Sequence, residues 1–220
     1  MSDLELLFRL VPTAIADTLW MTAASSFFAL LLGLPLGLLL YTTAAGNLFQ
    51  NAWINRPVGM IVDSLRAIPF IILAASIMPI TRLVVGKAIG NEAMIFVLSI
   101  SAIPFYARMA ELSFREVDKN LIDAVRAMGA TRFQAIREVA LPEAFSSLIT
   151  GFTVTIIAIL AASAMAGFIG GNGLGKLAIS YGYLRYNLVV MISVLVILIV
   201  LNIAIQWFGD HLAYRINRRR

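Results

Sequence analysis

Residues 123–144 read DAVRAMGATRFQAIREVALPEA, and the fold turns on why so polar a stretch stands where it does. It is charged and helical in pattern, yet the segments on either side are almost wholly apolar. Of the 220 residues, 60% are hydrophobic and only 13% are charged, about half the usual share for a soluble domain. The mean hydropathy is +0.90. The charges are also bunched: none lies between Asp17 and Arg56, between Glu143 and Lys176, or between Arg185 and Asp210. Uncharged apolar runs of roughly 20 residues are what a hydrocarbon core about 30 Å thick demands of a helix. A soluble helical bundle would need polar faces that these runs lack. The chain therefore reads as an all-α polytopic membrane protein, one transmembrane unit over residues 1–220.

Working outward from the polar stretch, five transmembrane helices are expected. The first runs from about Thr18 to Tyr41, behind a short amphipathic helix over 3–12 that Pro12 ends or that opens the span. The second begins near Pro57, a favourable first helical residue, and ends near Met78 and Pro79. It carries Asp63 and Arg66 in its first turns, near an interface where such a pair is tolerated. The third covers about Ala93 to Tyr106, with a bend at Pro104. The fourth and fifth run from Ser146 to Ile169 and from Leu188 to Phe208.

Orientation follows from the basic residues. One set of connections holds Arg56, Arg108, Arg115, Lys119, Arg126, Arg132, Arg137, Arg215, Arg218, Arg219 and Arg220, eleven in all. The other holds Arg9, Arg82, Lys87, Lys176 and Arg185, which is five. The polar stretch and the C-terminus are thus expected in the cytoplasm and the N-terminus outside. The net charge of +5 reads as anchoring against anionic membrane lipid, with no nucleic-acid partner. Cysteine is absent, so disulfides and thiolate metal sites are excluded, and no metal site is expected. The single histidine, His211, reads as an interfacial residue.

Within the polar stretch, Leu121, Val125 and Met128 fall at helical spacing, and Gly129 permits a turn. Thr131 with Gln134 fits a capping box that starts a second helix. Phe133, Ile136 and Ala140 continue an apolar stripe to Leu141, before Pro142, which disfavours α-geometry at the residue preceding it. Ala124, Ala127, Gly129 and Ala130 leave the turn lined by small side chains. By pattern alone the unit fits either an amphipathic hairpin lying on lipid or a knob shaped for a protein groove.

The same residues resemble the conserved cytoplasmic loop of ABC-importer permeases, the EAA loop, over 118–142. That pattern is Glu-Ala-Ala, three residues, Gly, nine residues, Ile-x-Leu-Pro. Here Asp123, Ala124 and Val125 take the first places, Gly129 the glycine, and Val139, Leu141 and Pro142 the ending. Asp for Glu shortens the reach of the charge, Val125 adds bulk, and Val139 is a mild change. The resemblance implies a coupling helix, between the third and fourth spans of a type I importer fold, that docks on a separate ATPase. Asp123, Ala124, Val125, Met128, Gly129, Ala130, Leu141 and Pro142 are the residues it assigns to coupling.

Further segments extend the likeness: LRAIPFIIL at 65–73, PFYARM at 104–109, SAMAG at 163–167 and GNGLGKLAISYGY at 171–183. Together they resemble the permease family of methionine ABC importers. The resemblance implies a multi-pass subunit of a bacterial inner membrane, with no enzymatic activity and no bound cofactor. Its expected partners are a second copy of itself, two ATP-binding subunits that hold ATP and Mg, and an external or lipid-anchored methionine-binding protein. The same architecture could serve another amino acid or small organic solute. An ion-driven carrier would call for inverted halves and polar mid-membrane residues, which the sequence does not clearly offer.

GGNGLGK at 170–176 nearly matches a phosphate-binding loop, but Leu177 stands where the Mg-binding hydroxyl belongs and no strand precedes it. Its glycines suit a tight re-entry or external turn. Ala158, Ala162, Ala166 and Gly170 give the fourth span a small-residue face, fit for close packing or for lining a path. The resemblance places a gate at SAMAG, where Ala162, Ser163, Met165 and Ala166 are the expected pathway residues. Relatives can carry an aromatic at the position of Ala162, so the resemblance fixes neither pocket shape nor a direct substrate contact there. Gly33 and Gly37 give the first span a Gly-x-x-x-Gly packing face.

Overall fold

The computed structural model describes residues 3–217, so the basic tail Arg218–Arg220 lies outside the described residues. All regular structure within them is helical. Four of the described helices are long and apolar enough to cross a membrane, and one bent pair passes the same test only when its two helices are counted together.

The first helix, α1, runs unbroken from Asp3 to Thr43. The separate amphipathic helix expected to end at Pro12 is its first part. Pro12 and Pro35 both sit on its exposed side, where each ring costs one backbone bond without breaking the helix. Gly33 and Gly37 meet the helix α5 (Asn91–Arg115) of the same chain. A Cβ at Gly37 would lie 2.5 Å from the Ala107 carbonyl oxygen and 2.7 Å from the Ala110 Cβ. The small-residue face thus brings two backbones together, and α5 becomes the buried centre of the bundle. Tyr106, Phe114, Met94 and Leu98 are its fully buried large side chains. Tyr106 packs edge-on to Phe152, and Phe114 stacks on Tyr41 of α1.

The second span departs from expectation. Helix α2 starts at Ala52, capped by the Asn51 side chain, and ends at Ala67. Helices α3 (Phe70–Ser76) and α4 (Met78–Val85) follow. The axis turns by 104° between α2 and α3. Pro69 is the physical cause: it lacks an N–H and holds Ile68 extended, at ψ 123°. Asp63 and Arg66 consequently lie in the last turns of α2, not the first.

The third span is also longer than expected, since α5 continues past Tyr106 to Arg115. Beyond α6 (Lys119–Ala127), one continuous helix spans Arg132 to Ile169. It comprises a short α7 (Arg132–Gln134), a π-helical stretch Ala135–Ala140, and α8 (Leu141–Ile169). The helix that carries the fourth span therefore begins well before Ser146, its first turns belonging to the polar stretch. Pro142 does not interrupt it, because hydrogen bonding widens just before the ring: the Leu141 N–H reaches the Ile136 carbonyl, five residues back.

After Ile169 the chain reverses at Gly170 and Gly173, with φ of +105° and +92°. It then runs back along α8 as α9 (Leu174–Leu177) and a π-turn, Ala178–Tyr183. A Cβ at Gly175 would lie 2.1 Å from the Ala164 carbonyl oxygen, so this re-entry needs glycine. Helix α10 (Leu188–Asn217) closes the fold and leaves most of its apolar surface exposed. Near its end His211 stacks on Trp207.

Candidate functional site: a helical knob and a cavity within the bundle

The polar stretch folds as helix, turn, helix. Asp118 caps α6 by accepting from the Asn120 N–H at 2.9 Å. At the other end the Ala130 N–H bonds the Val125 carbonyl, and the Gly129 N–H bonds the Arg126 carbonyl. That is a Schellman closure, and it requires the left-handed φ of +97° that Gly129 adopts. The capping box is present: the Gln134 N–H donates to Thr131 Oγ1 at 3.2 Å, and the Thr131 N–H donates to Gln134 Oε1 at 2.8 Å. Two caps of about 1 kcal/mol each hold a turn that α6, at nine residues, could not stabilise alone.

Val125, Met128, Gly129 and Ala130 share a cleft of about 370 Å³ with Gln134, Ala135, Glu138 and Val139. Asp123 and Ala124 are exposed on α6. Leu141 and Pro142 lie further along, half-buried against the bundle rather than at the tip. The expected apolar stripe is offset by one residue: Ile122 is the buried anchor of α6, whereas Leu121 and Met128 face outward. On the second helix Ile136 and Ala140 are buried, while Phe133 is 67% exposed. Arg132 lies over the Phe49 ring, which ties the knob to the connection between α1 and α2.

A charge network lies just before the knob. Arg108 makes a bidentate pair with Asp63 of α2, its Nε 2.8 Å from Oδ1, and also donates to Glu111. The other Glu111 oxygen accepts from Arg115 at 2.6 Å. Glu111 is 1% exposed, so this carboxylate is tolerable only because both oxygens are occupied by guanidinium groups. Sequence reading overlooked this network. Arg108, Glu111 and Arg115 stand three and four apart on one helical face, a legible signal, but the partner Asp63 lies 45 residues away.

The expected pathway residues do not share one face. Ala162 and Ala158 line a cavity of about 80 Å³ between α2, α5 and α8, together with Arg66, Ser101, Phe105 and Thr155. Ser163 is buried and donates to the Leu160 carbonyl at 2.7 Å. Ala166 is fully buried, and Met165 is 50% exposed. The GGNGLGK segment holds the outward turn together: Lys176 donates to the Asn172 side chain, and Asn91 bridges Asp17 to the Asn172 N–H.

A bundle of apolar helices long enough to cross a membrane, with a capped helical knob between α5 and α8, has the build of a membrane permease. The chain belongs to the family of binding-protein-dependent transport system inner membrane components, whose model matches residues 33–218. It is 43% identical over 210 residues to a probable D-methionine transport system permease protein MetI of Vibrio cholerae, covering 96% of this chain and 93% of that one. It is 45% identical over 163 residues to the D-methionine transport system permease protein MetI of Escherichia coli K12, covering 74% and 75%. A solved structure of the MetNI methionine ABC transporter in an inward-facing conformation superposes with a TM-score of 0.94. Its identity is 44%, over 98% of this chain and 99% of that one.

Proposed function

We propose that the chain is the membrane subunit of a methionine ABC importer. Two copies would form the pathway, two ATP-binding subunits would dock on the knobs, and an external binding protein would deliver the cargo. The observation that carries this reading is the unbroken helix from Arg132 to Ile169. One end of it forms half of the knob, and its last third lines the cavity at Ala158 and Ala162. A push on the knob is therefore a push on the wall of the bundle. The likeness to methionine permeases over nearly the whole chain supplies the cargo class.

In this scheme ATP and Mg belong to the partner subunits, and closure of those subunits moves the two knobs together. The wall helices follow as rods, and access switches between the two faces of the membrane. No bond of the cargo changes. The excess of basic residues, eleven against five, supports a cytoplasmic knob and C-terminus and an external N-terminus. Exposed Met128 and Phe133 give the knob apolar contact area for a partner groove.

The test is uptake of radiolabelled methionine into proteoliposomes holding this chain with its ATP-binding subunits. Uptake is expected only with ATP and the binding protein present, and unlabelled methionine should compete where other amino acids do not. Uptake without nucleotide, or equal competition by unrelated amino acids, would overturn the reading.

A further inference from the structure

The cavity between α2, α5 and α8 contains one charged group, Arg66. Its depth follows from helical rise: Phe105, on the cavity wall, is about 21 Å along α5 from Asn91 and about 15 Å from Arg115. Arg108, of the charge network before the knob, stands only about 4.5 Å further along, so the cavity lies next to that network and Arg66 is its one charged wall group. Its electrostatic surroundings are also incomplete. Asp63, the nearest acid, makes an ion pair with Arg66 at 3.6 Å but is shared, since both of its oxygens are hydrogen-bonded to Arg108. The other neighbour is the Phe105 ring, 5.7 Å from centroid to guanidinium. The Arg66 side chain lines the cavity, is 31% exposed, and has no hydrogen-bond acceptor among the described residues beyond its loose ion pair with Asp63. Ser101, on the same wall, makes no hydrogen bond among the described residues, whereas the Thr155 hydroxyl is spent on the Gly151 carbonyl.

We infer that this cavity is a carboxylate-recognition site for the amino-acid cargo, in which Arg66 receives the α-carboxylate and Ser101 donates to it. The inference rests on the importer reading above and adds a contact within the membrane to it. A planar guanidinium matches a carboxylate in bidentate fashion. A cavity of about 80 Å³ admits the charged head of an amino acid, and the apolar side chain lies along Phe105, Ala158 and Ala162. The break after Ala67 leaves Arg66 at the end of a discontinuous helix, a setting in which the backbone can yield as cargo passes.

The experiment compares methionine imported per ATP hydrolysed in proteoliposomes of the whole complex. R66Q should lower that ratio about tenfold, R66K should retain about a third of it, and S101A should lower it two- to threefold, about what lost charged and neutral hydrogen bonds predict. R66Q within twofold of wild type overturns the inference while leaving the importer reading intact. A wild-type complex that imports no methionine overturns the importer reading instead. Should R66Q fail to assemble, binding of radiolabelled methionine to the wild-type complex without its binding protein decides. Saturable binding displaced by N-acetylmethionine but not by methioninol supports the site. Absence of saturable binding, or equal displacement by both, overturns it.

Discussion

Glu111 is the residue with the most at stake. It is buried, and its two carboxylate oxygens are taken by Arg108 and Arg115. Replacing Arg108 by methionine leaves one of its oxygens and both of Asp63 without their guanidinium, so R108M should destabilise the complex by about 3–5 kcal/mol. D63N should cost far less, because the Asp63 side chain is 54% exposed and water can replace what it loses. Thermal unfolding of the two variants in detergent would check the order. Glycines make a second contrast. At Gly129 a Cβ would meet nothing within 4 Å, so G129A costs only left-handed backbone strain, about 1–2 kcal/mol. G37A costs through collision with α5 instead, about 1–3 kcal/mol. A110G removes only the 2.7 Å contact and leaves the Ala107 carbonyl oxygen at 2.5 Å, so it should rescue G37A at most in part and leave G129A untouched, as melting temperatures would show.

Among the elements, the helix from Arg132 to Ile169 does the mechanical part, and its stiffness can be tested. Arg137 and Glu138 are exposed on the π-helical stretch, so R137G together with E138G removes little packing. Each glycine lowers helix stability by about 1 kcal/mol. Methionine moved per ATP should fall severalfold while the complex still assembles. How much of these elements can be read in the sequence depends on distance along the chain. The capping box at Thr131 and Gln134 spans three residues and is plain. The left-handed turn at Gly129 is plain for the same reason, as are the uncharged runs that become α1, α8 and α10. The break in the second span was not foreseen, although Pro69 stands in it, because one proline can bend a helix slightly or turn it by 104°. Surrounding helices decide which. The pairing of Asp63 with Arg108 is a tertiary fact that no local pattern carries.

At the scale of the whole molecule, the bundle has its polar knob at one end and its glycine-rich reversal at the other. The absence of cysteine makes the orientation of these ends directly measurable. Phe133 and Tyr186 are 67% and 91% exposed and lie on the knob and before α10 respectively. In intact cells a membrane-impermeant maleimide should label Y186C and spare F133C, and permeabilised cells should label both. Labelling of F133C in intact cells would reverse the topology and place the knob outside, away from any nucleotide-driven partner.

Continuity between knob and wall also constrains how such a chain can vary. Each residue added to a regular helix turns everything beyond it by about 100°. A single insertion between Leu141 and Ala158 would therefore aim the docking tip away from its neighbour, even with every side chain at both ends unchanged. Length in that interval is under tighter restraint than composition, and viable lineages should differ there by substitution, with insertions and deletions displaced to the loops at 44–51 and 184–187.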